Sequence, residues 1–234
     1  MKYKYLFFDI DDTLIDFRKT FRAAARRVIE HAGGEINDET ANVFYTANKE
    51  VWKSLNLHRL DNMHIRTDYH ALYGKYLWET VDTAAKTLGL LEDSDSLLIY
   101  FLKMLGECAV LSPNVIPVCG QLRRECKLYV ATNGLMCSQP QKIARIEYLF
   151  DKVYISHEVG KIKPEKEYFE YILNDIGCKA TECLMIGDSL PNDIKGAAGA
   201  GIATCFYNPI LRDPGDAAPT YMIKDFTELI DILR

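Results

Sequence analysis

Two hydrophobic rhythms alternate along the chain. Short apolar runs bounded by turn residues occur at Tyr5–Phe8, Lys127–Ala131, Val153–Ile155, Cys183–Ile186, Ile202–Phe206 and Tyr221–Ile223, and read as strands. Elsewhere apolar residues return every three or four positions. Phe17, Phe21, Ala24, Ala25, Val28 and Ile29 predict one helix, ended by Gly33-Gly34. Asn37-Asp38-Glu39 opens a second, carrying Val43, Phe44, Val51, Trp52 and Leu55. A third runs roughly from Ile65 to Leu88, and Ser94-Asp95-Ser96 caps a fourth through Leu97, Phe101 and Leu105.

From Phe17 to about Cys108 no strand pattern interrupts these helices. Beyond Pro113 and Pro117 the character changes. Strands then alternate with helices at Val118–Arg124, at Pro140–Leu149, through Phe169 and Leu173, up to Ala198, and finally through Phe226 and Leu233. This alternation predicts an α/β fold with a doubly wound, mostly parallel sheet. The predicted domains are a core of residues 1–16 and 109–234 and an all-helical insertion of residues 17–108.

Chemistry collects where strands stop. The first run ends at Asp9-Ile10-Asp11-Asp12-Thr13, and in extended backbone Asp9 and Asp11 share a side. Two converging carboxylates repel each other unless a cation or a proton intervenes, which points to a hard divalent metal and phosphate chemistry. Thr132-Asn133-Gly134 follows the second strand, Lys163-Pro164 lies a little beyond the third, and Gly187-Asp188-Ser189-Leu190-Pro191-Asn192-Asp193 follows the fourth. Strand ends of one parallel sheet share an edge, so these groups can converge.

This ordered set resembles the haloacid dehalogenase superfamily of phosphotransferases: Asp-x-Asp-x-Thr, then Thr/Ser, then Lys-Pro, then Gly-Asp-x-x-x-x-Asp. The resemblance spans the whole chain, implies a Rossmann-like core, and matches residues 17 to about 108 to a helical cap. It implies that Asp9 is a nucleophile forming an aspartyl-phosphate. Asp11 would protonate the leaving alkoxide and then take a proton from the hydrolytic water. Magnesium would be held by Asp9, the main-chain carbonyl of Asp11, and Asp188. Thr132 and main-chain N–H groups near Asn133 would bind a phosphate oxygen, Lys163 would neutralise the phosphate, and Asp193 would hold Lys163 or a water on the metal. Lys161 competes for the lysine role but lacks a following proline. The second acid, Asp11, favours phosphate esters over haloacids, which leave no alkoxide to protonate.

Asn48-Lys49-Glu50-Val51-Trp52, the stretch Ser156 to Pro164, and Ala203 to Asn208 are similar to the branch containing pyrimidine 5′-nucleotidases of noncanonical nucleotides. Trp52 reads either as a core residue or as a platform for a base. A sugar-phosphate phosphatase, a phosphomutase and a catalytically idle binding protein on the same fold remain open alternatives. A receiver-type signalling domain gathers similar groups but is about half this length and has no helical insertion.

Bulk properties narrow the setting. The net charge of −5, with no Lys/Arg block, argues against a nucleic-acid groove or a polybasic membrane surface and suits a small-molecule phosphate ester. The first strand starts almost at Met1, leaving no room for a signal peptide, and seven scattered cysteines without a Cys-x-x-Cys pair suit reduced thiols. A cytoplasmic protein is expected. The run from Gly196 to Gly201 does not fit G-x-G-x-x-G and falls at a helix end, and the histidines show no metal-binding spacing.

Overall fold

A computed structural model describes all 234 residues. Six strands form one parallel sheet: β1 (Tyr5–Phe8), β2 (Lys127–Thr132), β3 (Lys152–Ile155), β4 (Cys183–Gly187), β5 (Ala203–Tyr207) and β6 (Tyr221–Ile223), in the order β3-β2-β1-β4-β5-β6. β1 is central, with Phe8 opposite Val130 on one side and Ile186 on the other. The strand order reverses direction about β1 and β4, which makes their carboxyl ends a topological switch point.

The apolar runs are near-continuous because both sheet faces are covered. Leu6, Phe8, Leu128, Val130, Leu184 and Ile186 share one core with Val118, Leu122, Leu229 and Leu233. These last four lie on α6 (Val115–Leu122) and α11 (Glu228–Leu233). Phe7, Tyr129, Ala131 and Met185 face the other way, against Tyr168, Phe169 and Ile172 of α9 (Lys166–Ile176). The alternation of Leu6, Phe7 and Phe8 is the two-residue period of a pleated strand.

The chain divides into two compact units. The sheet unit comprises residues 1–16, 111–133 and 143–234; the helical unit comprises residues 17–110 and 134–142. Within the sheet unit, Ile15 bridges Leu111 and Ser112 N donates to Leu14 O at 3.0 Å, pairing the outgoing and returning chain.

In the helical unit α1 (Phe17–His31), α2 (Asp38–Ser54), α4 (Tyr69–Leu88) and α5 (Ser94–Glu107) surround a core that includes Phe21, Val28, Phe44, Val81 and Phe101. The Phe21 and Phe101 rings meet edge to face, with centroids 5.0 Å apart. Asn37 starts α2 with a reciprocal cap: its side chain accepts from Thr40 N, and Thr40 Oγ1 accepts from Asn37 N. Asp93 caps α5 through Ser96 N, one residue before the expected cap. No helix is long and apolar enough to cross a membrane.

Several boundaries differ from the sequence reading. The stretch expected as one helix over 65–88 is two, α3 (Met63–Thr67) and α4, because Asp68 leaves helical geometry at φ −97°, ψ 9°. α6 begins at Val115 rather than Val118, since Pro117 sits in the first turn, where its missing N–H has no intrahelical partner to lose. The helix expected over 140–149 is a short α7 (Gln139–Ile143) followed by a 3₁₀ turn at Glu147–Leu149. Ile143, Ile146 and Leu149, three apart, all stay buried this way. The segment 134–142, placed in the core by sequence, clusters with the helical unit. Its close approach to α5 explains why: a Cβ on Gly106 would lie 2.6 Å from Gln141 O.

That contact generates a prediction of opposite signs at two helical glycines. Alanine in a helix is ordinarily favoured over glycine by about 1 kcal/mol. Gly120→Ala on α6 meets nothing within 4 Å and should raise the melting temperature. Gly106→Ala must displace the Gln141 backbone and should lower stability by about 1–3 kcal/mol in chemical denaturation.

Candidate active site

At the carboxyl edge of the sheet, β1 stops at Phe8 and Asp9 N donates to Ile186 O at 3.0 Å, extending the ladder by one bond. This fixes the Asp9 backbone beside β4. β4 ends at Gly187, and the next residue is Asp188. Ser189 then caps a π-helical turn, Leu190–Lys195, which returns Asp193 to the strand end; Asp193 N donates to Ser189 O at 2.9 Å. Gly187 is required by close approach: a Cβ there would lie 2.2 Å from Asp193 Oδ2.

Lys163 is the hub. Its Nζ donates to Asp9 Oδ1 at 2.6 Å, to Asp193 Oδ1 at 2.6 Å and to Ala131 O at 2.8 Å, which uses all three ammonium protons. Only 2% of Lys163 is exposed, and Asp193 is fully buried. Burial by itself lowers the lysine pKa, but the charges of Asp193 and Asp9 outweigh it and hold the group firmly protonated. The second Asp193 oxygen accepts from Ser189 N at 3.0 Å.

Asn133 positions the lysine. Its Nδ2 donates to Lys163 O and its Oδ1 accepts from Lys163 N, both at 2.8 Å, so the end of β2 grips the Lys163 backbone as a strand partner would. Sequence reading placed Asn133 at the phosphate through main-chain groups and did not foresee this side-chain role. Thr132, 1% exposed, ends β2 beside it, and its carbonyl accepts from the Tyr168 hydroxyl at 3.4 Å.

The carboxylates crowd one another. Ligand oxygens of Asp9, Asp188 and Asp193 lie within 4.8 Å of one another. Burial, the Asp193 charge and the Asp11 charge together push Asp9 up to about 7, with Lys163 opposing. Burial, then Asp193, Asp9 and Asp12, raise Asp188 well above the ordinary carboxylate range. Asp12, exposed and in left-handed backbone at φ 57°, turns the chain after Asp11. Five carboxylates (Asp9, Asp11, Asp12, Asp188 and Asp193) thus stand against two cations, Lys163 and Arg212, the latter donating to Asp188 O at 2.9 Å and Oδ2 at 3.3 Å. This surplus of hard oxygen donors, Asp9 and Asp193 buried and Asp11 and Asp188 partly so, fits a divalent magnesium ion. With both oxygens of Asp193 taken, Asp9 and Asp188 are the side chains suited to ligate it.

Arg212 escaped sequence reading. It lies in a proline-rich loop, Asn208 to Pro219, with no motif to mark it. Asn48 and Trp52, singled out by sequence, meet in the helical unit: the Asn48 amide donates to the Tyr76 hydroxyl, and the half-buried Trp52 packs edge to face on Tyr73 and Tyr76.

A parallel sheet with an acid-lined switch point defines a class, and the comparisons assign it. Residues 3–201 match the haloacid dehalogenase-like hydrolases, and the chain belongs to that family and is an enzyme of it. It is 30% identical over 238 residues to YfnB of Bacillus subtilis strain 168, spanning 100% of this chain and 96% of YfnB. The crystal structure of YfnB bound to magnesium superposes with a TM-score of 0.81 at 27% identity, covering 100% of both chains. The pyrimidine 5′-nucleotidases PynA of Streptococcus pneumoniae R6 and YjjG of Escherichia coli K12 are 29% and 27% identical, spanning 100% of this chain and 96% and 99% of theirs.

The buried cluster makes its own prediction. Lys163→Met leaves Asp9 and Asp193 without their shared cation and should destabilise the sheet unit by about 3–5 kcal/mol. Adding Asp193→Asn removes one of the stranded charges and should recover part of that loss, read by urea denaturation in the presence of chelator.

Proposed function

We propose that this enzyme is a magnesium-dependent phosphomonoesterase that works through an aspartyl-phosphate on Asp9, with pyrimidine nucleoside 5′-monophosphates as its substrate class. The observation that carries this reading is the buried ammonium of Lys163 held 2.6 Å from both Asp9 and Asp193, beside Asp188, at the sheet's switch point. A carboxylate can attack an anionic phosphoryl group only where positive charge offsets the repulsion. The nucleotidase assignment draws on PynA and YjjG, aligned over the full length of this chain.

In this mechanism a free Asp9 oxygen attacks phosphorus, the P–O ester bond breaks, and its electron pair leaves on the alkoxide, which Asp11 protonates. Asp11, now a carboxylate, takes a proton from water as that water attacks the phosphoryl group, which releases phosphate and restores Asp9. Lys163 neutralises the transferring oxygens, Asp193 and Asn133 keep it aimed, and Thr132 with the N–H groups beside Asn133 binds a phosphate oxygen. Bound magnesium, held by Asp9, the Asp11 carbonyl and Asp188, would supply the further positive charge that lets two anions meet.

Phosphate release from pyrimidine and purine nucleoside monophosphates, sugar phosphates and an aryl phosphate tests the proposal. Magnesium-dependent release is expected, abolished by chelator and by Asp9→Asn, with dUMP and dTMP preferred over sugar phosphates. Asp11→Asn should lower kcat by about 10²–10⁴-fold. A preference for sugar phosphates would overturn the substrate class, and no release from folded, magnesium-loaded protein would overturn the phosphatase itself. Gly187→Ala, by displacing Asp193, should lower kcat on the order of 10²-fold while the protein remains folded by circular dichroism.

A further inference from the structure

Beyond the catalytic edge, the loop after β5 is built to deliver one guanidinium. Asn208, 1% exposed, closes the loop on itself: its Oδ1 accepts from Arg212 N and its Nδ2 donates to Arg212 O, both at 2.8 Å. Asn208 is itself tied to the sheet, its N donating to Ile223 O at 2.7 Å. Leu211 adopts left-handed backbone at φ 56°, a conformation unfavourable for a residue with a Cβ, and its N donates to Asn208 O at 3.1 Å. A five-residue turn closed by two side-chain bonds and one backbone bond, which offset one unfavourable dihedral, therefore fixes the Arg212 backbone. Its side chain then lies over the Phe206 ring, with the guanidinium carbon 5.3 Å from the centroid. From there Nη2 reaches both the carbonyl and Oδ2 of Asp188.

A general cation near an acidic site would need none of this. Lysine on a free loop could screen the same charge. The planar guanidinium, stacked and clamped, instead holds a direction. It grips Asp188 at two points, backbone and side chain, and so restricts rotation of the carboxylate about its χ angles.

We propose that Arg212 is a positioning residue of the metal site: by engaging the carbonyl and Oδ2 of Asp188, it leaves Oδ1 as the single oxygen that Asp188 offers to the ion. The inference rests on the reading of Asp188 as a metal ligand. Its consequence is ion selectivity. Magnesium takes six ligands in near-ideal octahedral geometry and accepts one oxygen per carboxylate, whereas calcium takes six to eight and readily draws both oxygens of one carboxylate. Holding one Asp188 oxygen away therefore disfavours calcium more than magnesium.

The Coulombic effect of Arg212 separates cleanly from this geometric one. A fixed positive charge repels two divalent ions alike at the same site, so it changes both affinities by the same factor and cancels in their ratio. Only a change in the number or orientation of oxygens alters the ratio.

The test measures binding of magnesium and of calcium by calorimetry to the whole protein, wild type, Arg212→Ala and Arg212→Lys, without substrate. Arg212 is at the surface, its side chain 44% exposed, so the variants are expected to fold, which circular dichroism checks. In Arg212→Ala the preference for magnesium over calcium should fall roughly tenfold, the scale of one charge-assisted hydrogen bond. Arg212→Lys, which keeps the charge without the planar group held over Phe206, should lose most of the same preference. An unchanged ratio in both variants, whatever happens to the individual affinities, overturns the proposal. So does a lysine variant that retains the full wild-type ratio, since charge alone would then suffice. Asp188→Asn separates the two levels: if it binds magnesium as tightly as wild type, the reading of Asp188 as a ligand fails, independently of Arg212.

Discussion

One buried ammonium organises the sheet unit. Lys163 sits where two carboxylates from different strand ends would otherwise repel, and it can stay charged there only because Asp9 and Asp193 are both within hydrogen-bond reach. The neighbouring structure keeps it there: Asn133 holds its backbone, the Ala131 carbonyl takes its third proton, and Ser189 holds the far oxygen of Asp193. Removing any one of these leaves a polar group buried without its partner, which is costly in a dry interior. The same balance remains incomplete at Asp9 and Asp188, whose raised pKa values reflect burial among like charges. Stability and chemistry thus compete at this edge, and a bound divalent cation would relieve both.

Much of this was legible along the chain. The strands were readable because a sheet covered on both faces needs short, unbroken apolar runs, and β1, β2 and β4 supply them. The residues that meet at the sheet edge were readable because each follows such a run or belongs to a Lys-Pro or Gly-Asp signal. What escaped depends on long-range geometry. Asn133 has the chemistry of an ordinary turn residue, and only the return of residue 163 to the end of β2 makes its amide a backbone clamp. Arg212 is one of several charged residues in a loop, and its meaning comes from Asn208 closing that loop. The affiliation of residues 134–142 depends on a bare Gly106 surface, which has no periodicity to betray it.

The helical unit follows simpler rules. Its helices form from capped, amphipathic segments, and its core is dominated by phenylalanine and small residues. Errors there were of boundaries, as at Asp68, rather than of kind. The aromatic group of Trp52, Tyr73 and Tyr76 shows how residues with recognisable family character can serve packing within their own unit.

The placement of β1 also has a consequence for how the chain assembles during synthesis. β1 emerges first, yet its partners are β2 and β4, with Phe8 waiting for Val130 and then Ile186. Residues 17–110 emerge entirely in between, and their contacts close within the insertion itself: α1 with α2, α4 with α5, and α1 with α5. The nearer of these form fast and none spans more than the insertion, whereas pairing β1 with β2 must close a loop that contains all of it. A nascent chain therefore carries Asp9 at the end of an unpaired apolar strand while the inserted helices already have the contacts they need. The insertion, by compacting between β1 and β2, shortens the effective loop that the sheet must close.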